Sequence, residues 1–377
     1  MDNLSIFDLL PEEEAKQYRP IKSTDWKWTM ANDYPKEKNG LKVFSCFACG
    51  GGSTMGYKLV GCDVIGCVEI DPKMNEVYVK NHNPKHNFLM DIRDFNKIPN
   101  EELPEELFNL DILDGSPPCT TFSVCGEREE SWGKQKKFRE GQAEQTLDDL
   151  SFVFIDTVAK LKPKVVIMEN VEGILLGSAW LYVQKIYQGF RGIGYAVKHY
   201  LLKCEEMGVP QTRHRVFFIA MRKDAAVKVE SLNMGFNYEP ITYGQIKEGK
   251  MKPLGEDSKY RQLTLKALPE DKCIADVTLR LYNKESSFNI KLLNDDTIVP
   301  TLRAKPDFID RVAVANISNE SIRNAQTFPI DYDFINNSRA NVGYICGMSV
   351  PPIMIKRIVT RLIESGVFEN EKSNNQI

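Results

Sequence analysis

Asp111-Ile112-Leu113-Asp114-Gly115-Ser116-Pro117-Pro118-Cys119-Thr120-Thr121-Phe122-Ser123 is the stretch on which the reading of this chain turns. The apolar run from Leu110 to Leu113 predicts a short buried strand. Gly115 and two prolines stop it, because proline donates no backbone hydrogen bond and fixes its own φ. Cys119 therefore stands where a parallel strand opens into a loop, the usual place for a site in an open α/β sheet. The prolines restrict the backbone before it and so aim its sulfur. Most cysteines are small buried hydrophobes, so the case for a nucleophile has to come from the residues around it.

Upstream, Leu41 to Phe47 is apolar and β-prone and predicts the first strand. It runs into Ala48-Cys49-Gly50-Gly51-Gly52-Ser53-Thr54, where three glycines allow positive φ and close approach of a ligand. Ser53 or Thr54 is placed to cap the helix that follows. Asp63 to Val68 predicts a second strand ending in Glu69. A strand, a Gly-rich turn, a helix and a strand closed by an acid about 20 residues on make a unit that suits an adenosine-containing cofactor, with the carboxylate on ribose hydroxyls. A tight turn in any doubly wound sheet would look similar. Cys46, Cys49, Cys62 and Cys67 could be taken for a zinc set, but two lie in apolar strands and no knuckle spacing is present, so no metal is expected.

Downstream, Phe88 to Ile92 reads as a third strand with Asp91 at its end. Ser123 to Gln145 is long, polar and charge-rich, with Lys134, Lys136, Lys137 and Arg139 available for phosphates. A connection of that length inside a domain is usually functional or disordered; a mobile lid beside Cys119 and a solvated loop are the two readings. Leu147, Leu150, Phe154, Val158 and Leu161 mark an amphipathic helix. Val165 to Met168 predicts a buried strand that delivers Glu169-Asn170-Val171. That carboxylate is either an acid partner for Cys119 or a cap for a helix starting at Glu172. Tyr195 to Lys203 and Val216 to Met221 predict two more strands. Between them, Gln211-Thr212-Arg213-His214-Arg215 sets an amide and two guanidiniums on one side of an extended segment, suited to carboxylate, phosphate or nucleobase, or to a surface ion-pair cluster. From residue 225 the patterning becomes irregular and β-like. Ile355, Ile358, Val359, Leu362 and Ile363 form a final helical stripe between Pro352 and Gly366.

The bulk properties fit this picture. The chain has 377 residues, 42% hydrophobic, enough for one large and one smaller core. A net charge of −3 argues against a uniformly basic coat but allows a local basic cleft. Nine cysteines, an odd number in a long chain, suit a reducing cytoplasm better than a disulfide framework. No apolar run reaches the roughly 20 residues of a membrane span. A soluble, cytoplasmic protein with no membrane partner is expected.

Taken in order, these pieces resemble the DNA cytosine-C5 methyltransferase family over nearly the whole chain after residue 40. Phe47 to Gly56 resembles its cofactor loop, Gly115 to Ser123 its nucleophile loop, and Glu169-Asn170-Val171 its Glu-Asn-Val motif. Gln211 to Arg215 matches Gln-x-Arg-x-Arg, and Gly347-Met348-Ser349-Val350-Pro351 the closing motif. The chain departs from the pattern at Ser45, Cys49, Ser116, Ser321, Asn324 and Met348.

The resemblance implies a fold and an activity. The fold is α/β: a doubly wound, Rossmann-like S-adenosylmethionine-dependent methyltransferase sheet with a smaller, irregular β-rich target recognition domain. Its expected division is an N-terminal extension (1–40), a catalytic and cofactor-binding domain (41–224), the recognition domain (225–317), a return segment with the last helix (318–366) and a polar tail (367–377). The reaction is transfer of a methyl group from S-adenosylmethionine to C5 of a cytosine flipped out of duplex DNA. Cytosine C5 is a weak nucleophile; addition of the Cys119 thiolate at C6 activates it, and Glu169 assists at N3. Arg213 is expected on the cytosine carbonyl oxygen, with Arg215 holding neighbouring carboxylates. Phe47, Gly50, Gly51, Gly52, Glu69, Ile70, Asp91, Ile92, Gly115, Pro117, Ser349 and Val350 are the implied cofactor contacts. Ser123, Asn170 and Gln211 join the four basic loop residues as implied DNA contacts. Double-stranded DNA, and a separately acting restriction endonuclease, are the implied partners of a monomer. The same chemistry on tRNA, and a catalytically inactive DNA-binding homologue, are the alternatives; the roughly 90-residue region from 225 favours DNA over tRNA.

Overall fold

The computed structural model describes residues 19–118, 149–225, 227–286 and 290–369. Mostly apolar runs between residues 42 and 222 build a seven-stranded sheet. Its strands are β1 (Lys42–Cys46), β2 (Asp63–Glu69), β3 (His86–Leu89), β4 (Ile112–Gly115), β5 (Val165–Val171), β6 (Tyr195–Lys203) and β8 (His214–Arg222), in the order β3-β2-β1-β4-β5-β8-β6. A short strand, β7 (Gln211–Thr212), lies outside this sheet. The first five strands pair in parallel; β8 runs antiparallel to both neighbours. The order reverses beside β1, between β2 on one side and β4 on the other. That is the switch point where open α/β sheets hold ligands.

Period-two alternation sends side chains to two cores. Val43, Ile112 and Ile167 face one side with Met55, Ile355 and Leu362. Phe44, Leu113 and Met168 face the other with Phe95, Phe154 and Phe190. Each fully buried aliphatic or phenyl side chain contributes about 1.5–3 kcal/mol relative to exposure, so both faces hold their helices firmly. The helix Leu150–Leu161 stops at Lys162, which takes a left-handed φ of 52°. The last helix, Pro352–Glu364, starts with proline in its first turn and is followed by Gly366. It buries Ile355, Ile358, Val359 and Leu362, but Ile363 is 38% exposed and falls off the stripe. This helix packs on the helix Gly52–Leu59 at a contact so close that a Cβ on Gly56 would lie 2.5 Å from Ile355. Arg339–Glu364 is the one helical stretch among the described residues with the length and composition to cross a membrane, but 78% of its apolar window is buried inside the protein and it is broken at Ser349 to Pro351.

Three local expectations change. His86–Leu89 is the third strand, and Asp91 caps the next helix, Ile92–Lys97, instead of ending a strand. Neither Ser53 nor Thr54 caps Gly52–Leu59; Gly51 occupies that position with no side-chain cap. After Glu172 there are two short 3₁₀ turns before the helix Trp180–Gly192.

The region from 225 to 317 has a four-stranded sheet, β10-β12-β13-β9, made of β9 (Lys252–Pro253), β10 (Lys291–Leu293), β12 (Phe308–Asp310) and β13 (Ala315–Asn316). It also carries the helices Lys259–Leu265 and Ile274–Tyr282, which the sequence reading did not give. Leu263, Ile274, Val277, Leu292 and Ile309 form its own small core. A two-residue strand, β11 (Val299–Pro300), pairs with β7 and ties this region to the segment that leads into β8. Trp28, 4% exposed, docks the N-terminal extension by donating its indole N–H to the Thr327 carbonyl at 2.8 Å.

Candidate active site

The loop after β1 is strained and tightly braced. Phe47 and Cys49 take positive φ of 58° and 47°, and Gly51 takes 81°. The Cys49 N–H donates to Glu69 Oε2 at 2.8 Å, and Tyr332 Oη donates to the Gly50 carbonyl at 2.6 Å. The three glycines make room mainly for protein. A Cβ at Gly50 would lie 2.6 Å from Ile345, one at Gly51 2.0 Å from His82 Nε2, and one at Gly52 2.1 Å from the Val350 carbonyl oxygen. Ser349 and Val350 are likewise buried behind the loop, where Gln326 Nε2 donates to the Ser349 carbonyl at 2.6 Å.

In front of the loop are two adjoining pockets that share Phe47, Glu69 and Ile70. The first adds Val68, Met90, Asp91, Ile92 and Leu150; the second adds Cys49, Asp71, Met74, Ser116, Pro118, Tyr344 and Met348. Glu69 is 8% exposed, and burial raises its pKa above the usual carboxylate range. Its Oε1 accepts the Asp71 N–H at 2.8 Å. Asp91 accepts the Arg93 N–H at 2.8 Å and pairs with the Arg93 guanidinium at 3.2 Å. Largely apolar walls that include the carboxylates of Glu69 and Asp91 suit an adenosine-containing cofactor. Of the expected cofactor residues, Phe47, Glu69, Ile70, Asp91 and Ile92 line these walls. Gly115 ends β4 against the Phe154 ring, and Pro117 is buried beside it. Cys49, Met74, Tyr344 and Met348 were missed as wall residues; the departures at Cys49 and Met348 were their sequence signal.

On the other side of β4, antiparallel pairing sets Val171 opposite Arg215 and Glu169 opposite Phe217. Arg215 Nε lies 2.8 Å from Glu169 Oε1, with the two side chains 14% and 12% exposed. The N–H does not point at that oxygen, so the contact is an ion pair without an aligned hydrogen bond. Asn170 is 1% exposed; its Oδ1 accepts the Val171 N–H at 2.8 Å, and its Nδ2 has no partner among the described residues.

Arg213 and Gln211 do not face a cleft. Arg213 is 3% exposed and donates Nη1 to the carbonyls of Gly347 at 3.0 Å and Leu302 at 3.3 Å. Burial, and then the neighbouring Arg215, lower its pKa to about 9, so it stays charged at neutral pH. Gln211 is fully buried; it donates to Gln326 Oε1 at 2.9 Å and to the Ala325 carbonyl at 3.1 Å, and accepts the Leu302 N–H at 2.9 Å. The amide and the first guanidinium of this motif thus fasten the return segment. Arg215 is the guanidinium beside the acid. Cys119, Ser123, Lys134, Lys136, Lys137 and Arg139, with the expected lid, lie outside the described residues.

A switch-point cleft, a strand running toward a cysteine and an acid–guanidinium pair across the next two strands are the features of a group-transfer enzyme site of the nucleotide-cofactor class. The family model for C-5 cytosine-specific DNA methylase matches residues 41–364, and the chain belongs to this family. It is 32% identical over 203 residues to the type II methyltransferase M.NgoPII of Neisseria gonorrhoeae, covering 53% of each chain. It is 24% identical to the type II methyltransferase M.HindV of Haemophilus influenzae over 348 residues, 88% of this chain and 98% of the relative. The chain spans about half the length of the first of these relatives. Among solved structures, a DNA modification methyltransferase encoded within an E. coli prophage superposes with a TM-score of 0.62 at 20% identity, covering 86% of this chain and 99% of that one. A Spodoptera frugiperda DNMT2 mutant superposes with a TM-score of 0.58 at 15% identity, covering 86% of this chain and 100% of that one. These likenesses confirm the expected doubly wound fold.

Proposed function

We propose that this chain methylates C5 of a cytosine in double-stranded DNA, with S-adenosylmethionine as the methyl donor. The observation that carries the reading is the placement of β4. It ends at Gly115 between the cofactor cleft, which Ser116 and Pro118 help to line, and the Glu169–Arg215 pair on β5 and β8. Pro118 leads directly to Cys119, so thiol, acid and cofactor wall come from neighbouring strand ends.

Glu69 and Asp91 would hold the adenosine, with Phe47, Ile70 and Ile92 on its ring. The bound cofactor supplies an electrophilic methyl group. Cys119 adds to cytosine C6, pushing electrons toward N3 and making C5 nucleophilic. Glu169 holds the proton or hydrogen bond at N3. Arg215, rather than Arg213, is the guanidinium placed to steady Glu169 and reach the cytosine carbonyl oxygen. After methyl transfer the C5 proton leaves to a base, and loss of the thiolate restores the ring.

The basic residues Lys134 to Arg139 would meet DNA phosphates, and the region from 225 to 317 would read flanking bases. A separate restriction endonuclease with the same target is consistent with the type II names of the relatives. Methyl-resolved sequencing of DNA from cells expressing the chain tests the proposal. A recurrent sequence context methylated by wild type and lost with Cys119→Ser is expected. Unmethylated DNA from cells with abundant soluble wild-type protein would overturn it.

A further inference from the structure

The buried carboxyl of Asp114 has no part in the mechanism above, yet it sits one residue before the strand end that leads to Cys119. It is 3% exposed. Across the β1–β4 register Ser45 is its direct partner, and Ser45 Oγ donates to Asp114 Oδ2 at 2.8 Å. Tyr57, from the helix that follows the cofactor loop, donates its hydroxyl to Asp114 Oδ1 at 3.0 Å. Ser53, one turn earlier on that helix, also favours the ionised carboxylate. A carboxylate beneath the switch point is thus held by hydroxyls from β1 and from the helix Gly52–Leu59.

We propose that Asp114 is a positioning residue that locks the nucleophile strand to the cofactor loop, so that the two loops forming the cleft keep one relative placement. The inference rests on the proposed function for its meaning, since those loops matter only if the cleft binds the methyl donor. An ionised carboxylate accepts from both hydroxyls. Once protonated it loses its charge and must donate one hydrogen itself, so one contact reverses direction and both weaken.

The surroundings favour such a change in an accessible pH range. Burial raises Asp114 to about 7, against the lowering effect of Ser45, Tyr57 and Ser53. Glu169 on β5 adds a further upward push. The other titratable groups that feel Asp114 are Cys46 on β1, Tyr57 on the first helix and Tyr78 on the helix Pro72–His82. Burial raises all three, which keeps them neutral near pH 7, so Asp114 is the group that changes charge there.

Amide hydrogen exchange on the full chain, without cofactor, tests the lock directly. Local opening that strips the hydroxyls from a still-buried Asp114 favours its protonated form, so in wild type protection of Phe47 to Gly52 and of Gly115 and Ser116 should fall together as pH drops through about 7, after correction for intrinsic rates. Asp114→Asn should abolish that pH step in both segments, and Tyr57→Phe, which keeps the carboxyl, should retain it with lower overall protection. Calorimetry should give Asp114→Asn an S-adenosylmethionine affinity about tenfold weaker than wild type, the equivalent of one charged hydrogen bond. Exchanging the register partners, Ser45→Asp with Asp114→Ser, should recover most of that loss. A pH step that survives Asp114→Asn, or two segments that respond independently, would overturn the lock. Wild type that binds no S-adenosylmethionine would instead overturn the proposed function and leave the exchange result to judge the lock.

Discussion

Arg215 and Glu169 meet at 2.8 Å across the antiparallel pair β5–β8, at the carboxyl end of the one and the amino end of the other. Two residues back, Arg213 is buried and spends its guanidinium on the main-chain carbonyls of Leu302 and Gly347. Two arginines of one motif therefore serve different ends, and substitution should separate them. Arg215→Ala should lower kcat of methyl transfer by at least about 100-fold, as loss of an electrostatic partner at a reacting centre does, with a small change in Tm. Arg213→Ala should cost about 3 kcal/mol of stability, leaving two buried carbonyls short of a charged donor. Parallel melting curves and turnover measurements read both; equal Tm losses would refute the division.

Glu69→Ala should weaken S-adenosylmethionine binding by about 1.5–3 kcal/mol, roughly 10- to 150-fold. Part of that loss comes through the loop, because Glu69 also accepts the Cys49 and Asp71 N–H groups. Isothermal calorimetry is the check, and unchanged affinity would move the ribose contact elsewhere.

Gly51→Ala should be among the most damaging single-methyl additions in the chain. It combines a φ of +81° with a Cβ placed 2.0 Å from the His82 ring, which is itself buried. Gly192→Ala, at the end of an α-helix with open space around it, should instead be neutral or stabilising by up to about 1 kcal/mol. Denaturant melts of the two variants should move in opposite directions or differ by more than about 2 kcal/mol.

Acid should destabilise the fold through His82. Burial, and then Lys58, depress its pKa to about 3, well below the unfolded value near 6.5. As pH falls from 6.5 toward 3 the unfolded chain takes up a proton that the folded chain refuses, so stability drops across that window. Asp114 works in the opposite sense: its raised pKa makes the folded state the better proton acceptor between about 7 and 4, which adds stability as pH falls. His82→Phe should therefore flatten the acid slope of unfolding free energy, whatever its effect on the absolute value. An unchanged slope would mean that another group governs the acid limb.

The strands and the glycine loop were legible because their signals are local: the apolar, β-prone run from Leu41 to Phe47, a proline stop at Pro117, an acid at the end of β2. The identity of the wall residues was legible where the motif itself touches the cleft, as for Phe47, Glu69 and Asp91. It was not legible where a motif residue acts on a distant segment. Gln211 fills its hydrogen bonds with Leu302, Ala325 and Gln326, and nothing within ten residues of Gln211 announces those partners. The glycines misled for the same reason, since what occupies their missing Cβ positions comes largely from residues 345 to 350. Tyr344 and Met348 reach the cleft through tertiary packing that no local period encodes.

The helix Pro352–Glu364, pressed against Gly52–Leu59, has a consequence for how the molecule is made. The cofactor loop is among the first pieces of the sheet to leave the ribosome, yet its supports at Tyr332, Ile345 and Val350 follow almost 300 residues later. Contacts so far apart carry a large loop-closure entropy and slow folding. The nascent sheet must wait with its glycine loop unbraced while residues 225 to 317 are synthesised. The cleft is then completed only after the helices Arg339–Met348 and Pro352–Glu364 have been made and close over Gly52–Leu59.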